Sequence, residues 1–208
     1  MRTFLQPCLL LASLLGVMPT LAEDANLSAS MRIQPSDLEH FSDQSESVQK
    51  LLRLSLHMAS QGLKYIYGSA DPDLGGFDCS GAVNYLLRNV GFGSVPRQAN
   101  LFYAWLDDLH RIHEVKSHDP HSPEFASLAP GDLLFWTGTY PVDRDPPVTH
   151  VMIYLGKERV TGRPLMVGAN SAREGGGFGV FPFQTDLPGS RGRFIAYGKL
   201  PTLSDSAP

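Results

Sequence analysis

The sequence predicts an α+β fold, with helical patterns in the first half of the chain and short apolar strands in the second. Three observations carry this. Over residues 37–61, Val48, Leu51, Leu52, Leu54, Leu56 and Met58 make a broad apolar helical face. Ala82, Val83, Leu86, Leu87 and Val90 make a second helical stripe, which opens at Cys79 and stops at Gly91. From Leu133 onward, runs rich in β-branched and large residues alternate with Gly- and Pro-rich turns. Helices followed by strands, rather than the two in alternation, indicate an antiparallel sheet with helices segregated to one side. The expectation is a Cys-bearing helix packed on a sheet of about five or six strands.

The elements follow in order. Ser36 is a capping residue type ahead of the first helix, and Gly62 is placed to end it. His40 and His57 read as solvated or core-edge side chains. Residues 63–68 are aromatic and β-leaning, and a turn cluster at 69–73 follows; Asp71 and Asp73 belong to that turn, because no spaced set of oxygen ligands continues them. The Gly75-Gly76 turn delivers the chain to Phe77-Asp78-Cys79-Ser80-Gly81, where Asp78 and Ser80 are N-cap types. Leu101, Phe102, Trp105, Leu106 and Leu109 give a third helical stripe. His110, His113, His118 and His121 then fall in a polar stretch with no Cys partner and no zinc-binding helix pattern, so neither a metal nor a cofactor is expected. Strands are expected at 133–136, 148–156, 165–169, 180–183 and 193–198, with long loops at 112–127 and 137–147 and a Gly-rich loop at 171–179.

Composition bounds the function. The 208 residues allow one domain with extensions, and 42% apolar with 18% charged residues describes a globular chain. A formal charge of -4 gives no electrostatic case for nucleic acid or an anionic membrane surface. Residues 1–22 read as a secretory signal: Arg2, an apolar core over 8–18, and small residues at Thr20 and Ala22. Cys8 precedes that core, whereas a lipid-anchoring Cys would follow it. The expected mature protein is therefore exported, periplasmic or secreted, with no membrane span. Residues 23–36 read as a flexible leader, 37–200 as the folded domain, its first helix over about 37–61, and 201–208 as a disordered tail.

Export sharpens the cysteine arithmetic. Cys8 leaves with the signal, so Cys79 has no intrachain partner, and a lone thiol in an oxidising compartment is a hazard unless it is used. A helix start favours an anion, which predicts a thiol shifted toward thiolate. The plainer alternative is a small buried hydrophobe. A thiol nucleophile needs a base, and His150 is the candidate, at the start of an apolar strand where a polar side chain needs a reason. His150, Met152 and Tyr154 share one strand face, while Val151, Ile153 and Leu155 share the other.

These segments together resemble the NlpC-type cell-wall cysteine peptidases. Gly62-x-x-Tyr65-x-x-Gly68, Phe77-Asp78-Cys79-Ser80-Gly81, Pro96-Arg97, Pro130-Gly131-Asp132-Leu133-Leu134-Phe135 and the run from His150 to Gly156 occur in that family's order. The resemblance implies a papain-like core and hydrolysis of peptidoglycan stem peptides, usually between γ-D-glutamate and the following diamino acid. Cys79 would attack the amide carbonyl, with His150 as base and then acid. Tyr65 and the Cys79 amide would stabilise the oxyanion, and Asp78 and Ser80 would hold the stem's free N-terminus. The family's third catalytic His is replaced here by Gly168, and Asn170, two residues on and on the same strand face, is the candidate in its place. The implied partners are peptidoglycan muropeptides, taken by a monomer. Other readings are an N-acetylmuramoyl-L-alanine amidase, a catalytically weak or inactive wall-binding module, and a toxin delivered to rival cells, which the signal disfavours.

Overall fold

The computed structural model describes residues 32–171, 176–187 and 192–202. The expected signal, most of the leader and the end of the tail lie outside them. Three helices, α1 (Glu46–Ala59), α2 (Cys79–Val90) and α3 (Ala99–Asp108), accompany a short parallel pair, β1 (Lys64–Tyr65) and β2 (Gly76–Phe77). Six further strands, β3 (Ile112–Glu114), β4 (Leu133–Thr137), β5 (Val148–Lys157), β6 (Pro164–Ala169), β7 (Phe178–Pro182) and β8 (Arg193–Gly198), form one sheet in the order β3-β8-β4-β5-β6-β7. Every neighbouring pair in it is antiparallel. The fold is the α+β arrangement that the sequence predicts.

The first helix is shorter than its expected span of 37–61. The backbone at 36–39 is drawn to the sheet instead: the Arg159 guanidinium donates to the carbonyls of Ser36 and Leu38 at 3.1 and 3.2 Å, and the Glu39 amide donates to Lys157 O at 2.8 Å. Two 3-10 turns, Pro35–Asp37 and Phe41–Asp43, take up the segment, with His40 in the left-handed region between them. Ser45, not Ser36, caps α1 by accepting the Val48 amide. The described end of the leader is likewise packed, with Ile33 buried, and Pro201 at the start of the expected tail is buried too.

The helices cover one face of the sheet. There Phe135, Val151, Ile153, Leu155 and Val167 meet Leu52, Leu86 and Phe102 in the main core. The opposite face is also dry: Leu134, Trp136, Met152, Tyr154 and Met166 lie under Val115, Phe125, Phe183 and Leu187. Each fully buried side chain of this size contributes roughly 1.5–3 kcal/mol relative to exposure. This second core explains why β4 and β5 read as continuous apolar runs rather than alternating ones. The loop before β4 covers this face through Phe125, whose ring stacks on that of Tyr197 from β8, 6.4 Å between centroids.

Candidate active site

Strand β2 leads directly into Asp78, whose carboxylate caps α2 by accepting the Gly81 amide at 2.6 Å. The Asp78 amide donates to Ser69 O at 3.0 Å, which brings the 66–70 turn onto the first turn of α2. A Cβ on Gly81 would stand 2.0 Å from that same carbonyl, so only glycine lets the two backbones meet. Cys79 is therefore held at the first helical position, 8% exposed and free of any disulfide. Burial pushes its thiol up to about 11, and the nearby Asp78 charge adds to this; the amides of Val151 and Ser80 and the Arg97 charge pull the other way. The expected shift toward thiolate is thus reversed in the free protein, because removal from water outweighs the helix start.

Asp78 is the hub of a closed network. Its Oδ1 accepts from Gly81 N, from Arg97 Nη1 at 2.9 Å and from Ser80 Oγ at 3.3 Å; its Oδ2 accepts from Gly68 N and Arg97 Nη2, each at 2.9 Å. Arg97 Nη1 also donates to Ser80 Oγ at 3.1 Å. Five donors on two oxygens fill a carboxylate's acceptor capacity, so Asp78 offers no free oxygen to a substrate ammonium. Asn84 in turn holds the 95–96 backbone that presents Arg97.

The Val151 amide beside the Cys79 sulfur puts the nucleophile-type side chain next to β5, one residue beyond His150. No hydrogen bond joins the two side chains. The His150 ring is 7% exposed and meets the Trp136 ring edge-on, 5.6 Å between centroids. Burial lowers its pKa to about 4, and its Nε2 is buried without a hydrogen-bond partner among the described residues. The antiparallel pairing of β5 with β6 runs from Lys157 with Pro164 to Ile153 with Val167, short of His150, and Asn170 follows directly on the last residue of β6. Asn170 is half-buried and makes no side-chain bond to the imidazole; its amide goes to Gly177 O at 2.9 Å. The same register explains Gly168: a Cβ there would lie 2.7 Å from Met152 Cγ, so the methionine already fills the space of any side chain at 168.

Cys79 opens into a cleft of about 360 Å³ lined by Tyr65, Tyr67, Asp78, Ser80, Arg97, Tyr140, Arg144 and Thr149, among others. Tyr65 reaches it from β1, half-buried; burial first, then the charges of Cys79 and Asp78, push its phenol far above the ordinary value. It remains a proton donor at every physiological pH. Of the two long loops, 137–147 lines the cleft and 112–127 does not. Sequence reasoning missed Arg97 as a partner of Asp78, although Pro96-Arg97 stood out as a motif, and missed Tyr140 and Arg144 altogether, since a Pro/Asp-rich loop carries no periodic signal. Among the described residues no group of three or more His, Cys, Asp or Glu is gathered as for a metal. No helix of them is long and apolar enough to cross a membrane.

The sequence model described as "NlpC/P60 family" matches residues 62–173, just over half of the chain. A relative named "Probable endopeptidase YafL", from Escherichia coli (strain K12), is 30% identical over 114 residues, which is 54% of this chain and 39% of that protein. The chain thus spans well under half the length of that relative. A solved protein described as similar to lipoprotein, NLP/P60 family, from Staphylococcus aureus is 27% identical, with a TM-score of 0.43 over 65% of this chain and 36% of the other. The NlpC/p60 domain of peptidoglycan hydrolase SagA is 18% identical, with a TM-score of 0.48 over 74% of this chain and 98% of that domain. On the span of the family match, which takes in Tyr65, the Cys79 motif and His150, the chain belongs to the NlpC/P60 family.

Proposed function

We propose that the protein is an exported cysteine endopeptidase that hydrolyses peptidoglycan stem peptides at the bond between γ-D-glutamate and the diamino acid. The observation that carries this is the placement of Cys79 at the start of α2, open to a cleft shared with Tyr65, in a chain of this family. The Cys79 sulfur attacks the amide carbonyl carbon. As the C–S bond forms, the thiol proton passes to His150, which returns it to the leaving amine as the C–N bond breaks. Water then cleaves the thioester, again with its proton taken by His150, and the thiol is restored. Because thiol and imidazole are both neutral at rest, proton transfer accompanies attack rather than precedes it. The Cys79 amide at the helix start and the Tyr65 hydroxyl supply donors to the oxyanion. Asn170, directly after β6, is the side chain that orients the imidazole through Nε2 once it rotates inward.

Asp78 and Ser80 act in this account by holding Arg97 in the cleft wall rather than by binding an ammonium directly. The full set of donors on Asp78 removes the feature that set an endopeptidase apart from an amidase, so product identity has to decide. Digestion of purified disaccharide-tripeptides, read by mass spectrometry, is expected to release the free diamino acid and leave L-Ala-D-Glu on the muramic acid. Release of the intact tripeptide would assign amidase chemistry instead. The mature enzyme acts outside the cytoplasm, where residues 1–22 direct it.

A further inference from the structure

The charges of the cleft do not balance. Asp78 and Arg97 cancel each other in a two-pronged pair, and the other side chains of the lining are uncharged except Arg144. Arg144 comes from the 137–147 loop; its Nη2 donates to Val148 O at 2.6 Å and to Tyr140 Oη at 3.2 Å, and its guanidinium lies over the Tyr140 ring, 5.9 Å from the centroid. Its Nε is buried with no partner, and among the described residues no carboxylate lies within ion-pair distance of it. The cleft that holds Cys79 therefore carries on its wall a cation with no ion-pair partner among the described residues. A guanidinium anchored in this way suits a planar anion.

We propose that Arg144 is the carboxylate-recognition residue of this cleft, and that the enzyme selects stems bearing a free α-carboxylate on D-glutamate over stems in which that group is an amide. The proposal rests on the endopeptidase reading. In a γ-linked glutamate the scissile carbonyl belongs to the side chain, so the α-carboxyl is free and only a few bonds away. Whether it carries a charge is then read at the same cleft that performs the cut. An amide offers Arg144 a neutral oxygen in place of an anion and brings its own N–H groups toward a donor-only side chain. A site built to bind one polar group rejects the analogue lacking it more strongly than an apolar pocket rejects a methylene.

The test compares L-Ala-γ-D-Glu-L-Lys with its D-isoglutamine counterpart as substrates of the wild type, Arg144→Gln and Arg144→Lys. The wild type is expected to favour the acid by about tenfold or more in kcat/KM. Arg144→Gln is expected to lose that preference by slowing on the acid while holding its rate on the amide within about threefold, and Arg144→Lys to recover part of it. Retained turnover of the amide also shows that the variant is folded. A wild type that treats both peptides alike, or an Arg144→Gln that loses both equally, overturns the proposal and leaves Arg144 as a loop anchor. If the wild type cuts neither peptide, the endopeptidase reading falls instead. Calorimetric binding of the two peptides to Cys79→Ala then decides the inference by itself: tighter, salt-sensitive binding of the acid that Arg144→Gln abolishes supports it, and equal or absent binding overturns it.

Discussion

Acid pH is predicted to weaken this fold through one buried side chain. His150 lies at the end of the second core, edge-on to Trp136, with its pKa lowered by burial to about 4. In the unfolded chain the same imidazole takes up a proton near its ordinary value of about 6.5. Between those two pH values the unfolded state binds the extra proton and the folded state does not, so stability rises with pH across the window and is lost as pH falls. At neutral pH and above nothing is lost. At about 1.4 kcal/mol per pH unit, the fall from 6.5 to about 4 amounts to roughly 3 kcal/mol, a large share of the stability of an ordinary domain. The assay is urea unfolding of the wild type and His150→Gln at pH 7.0, 5.5 and 4.5. Other titrating groups move both proteins together, so the difference between the two isolates His150. That difference should shift in the variant's favour as pH falls, by most of the 3 kcal/mol. A difference that stays flat from pH 7.0 to 4.5 would refute the argument that the imidazole is buried neutral.

The remaining expectations are of the same kind. With His150 as the base, the acid limb of kcat/KM should lie near pH 4 rather than 6.5, and a limb at the ordinary histidine value would contradict the buried geometry. The Cys79 thiol of the free protein, pushed to about 11, should alkylate slowly at pH 7 and accelerate beyond pH 9; an inflection at or below about 8.5 would show a thiol exposed to solvent or paired with imidazolium. Asp78→Asn should cost about 1–3 kcal/mol in urea unfolding, since it removes the negative charge on which the donors converge, a partly solvated guanidinium among them, and a loss below about 0.3 kcal/mol would show the network to be incidental. Gly168→His should destabilise by about 1–3 kcal/mol through collision with Met152, and adding Met152→Ala should recover most of it; no recovery would place the strain elsewhere.

Much of this architecture was legible in the sequence because the signals there are local. The stripe from Ala82 to Val90 with Asp78 before it and Gly91 after it fixes α2 nearly to the residue, and the Pro130-Gly131 turn announces β4. What escaped was set by partners far along the chain. The first helix is cut short because Arg159 claims the carbonyls of Ser36 and Leu38, a contact no window of periodicity contains. Strand β3 is three residues at the sheet edge, largely exposed and half polar, so Ile112–Glu114 looks like loop. The helix terminus at Cys79 is visible in the sequence, but its burial beside the Val151 amide of β5 is not. Gly168, which reads as a gap in a catalytic constellation, is in the structure a place already filled by Met152.

Dependence of stem-peptide cleavage on the Cys79 sulfur tests the central claim most directly. The rate of diamino acid release from a tripeptide stem should be followed for the wild type and Cys79→Ala, and for wild type titrated with iodoacetamide. We expect Cys79→Ala to lose at least about 10³-fold in kcat/KM, and activity to fall in step with the fraction of Cys79 alkylated. A folded Cys79→Ala protein that keeps its activity within about tenfold would place the nucleophile elsewhere and end this account of the cleft.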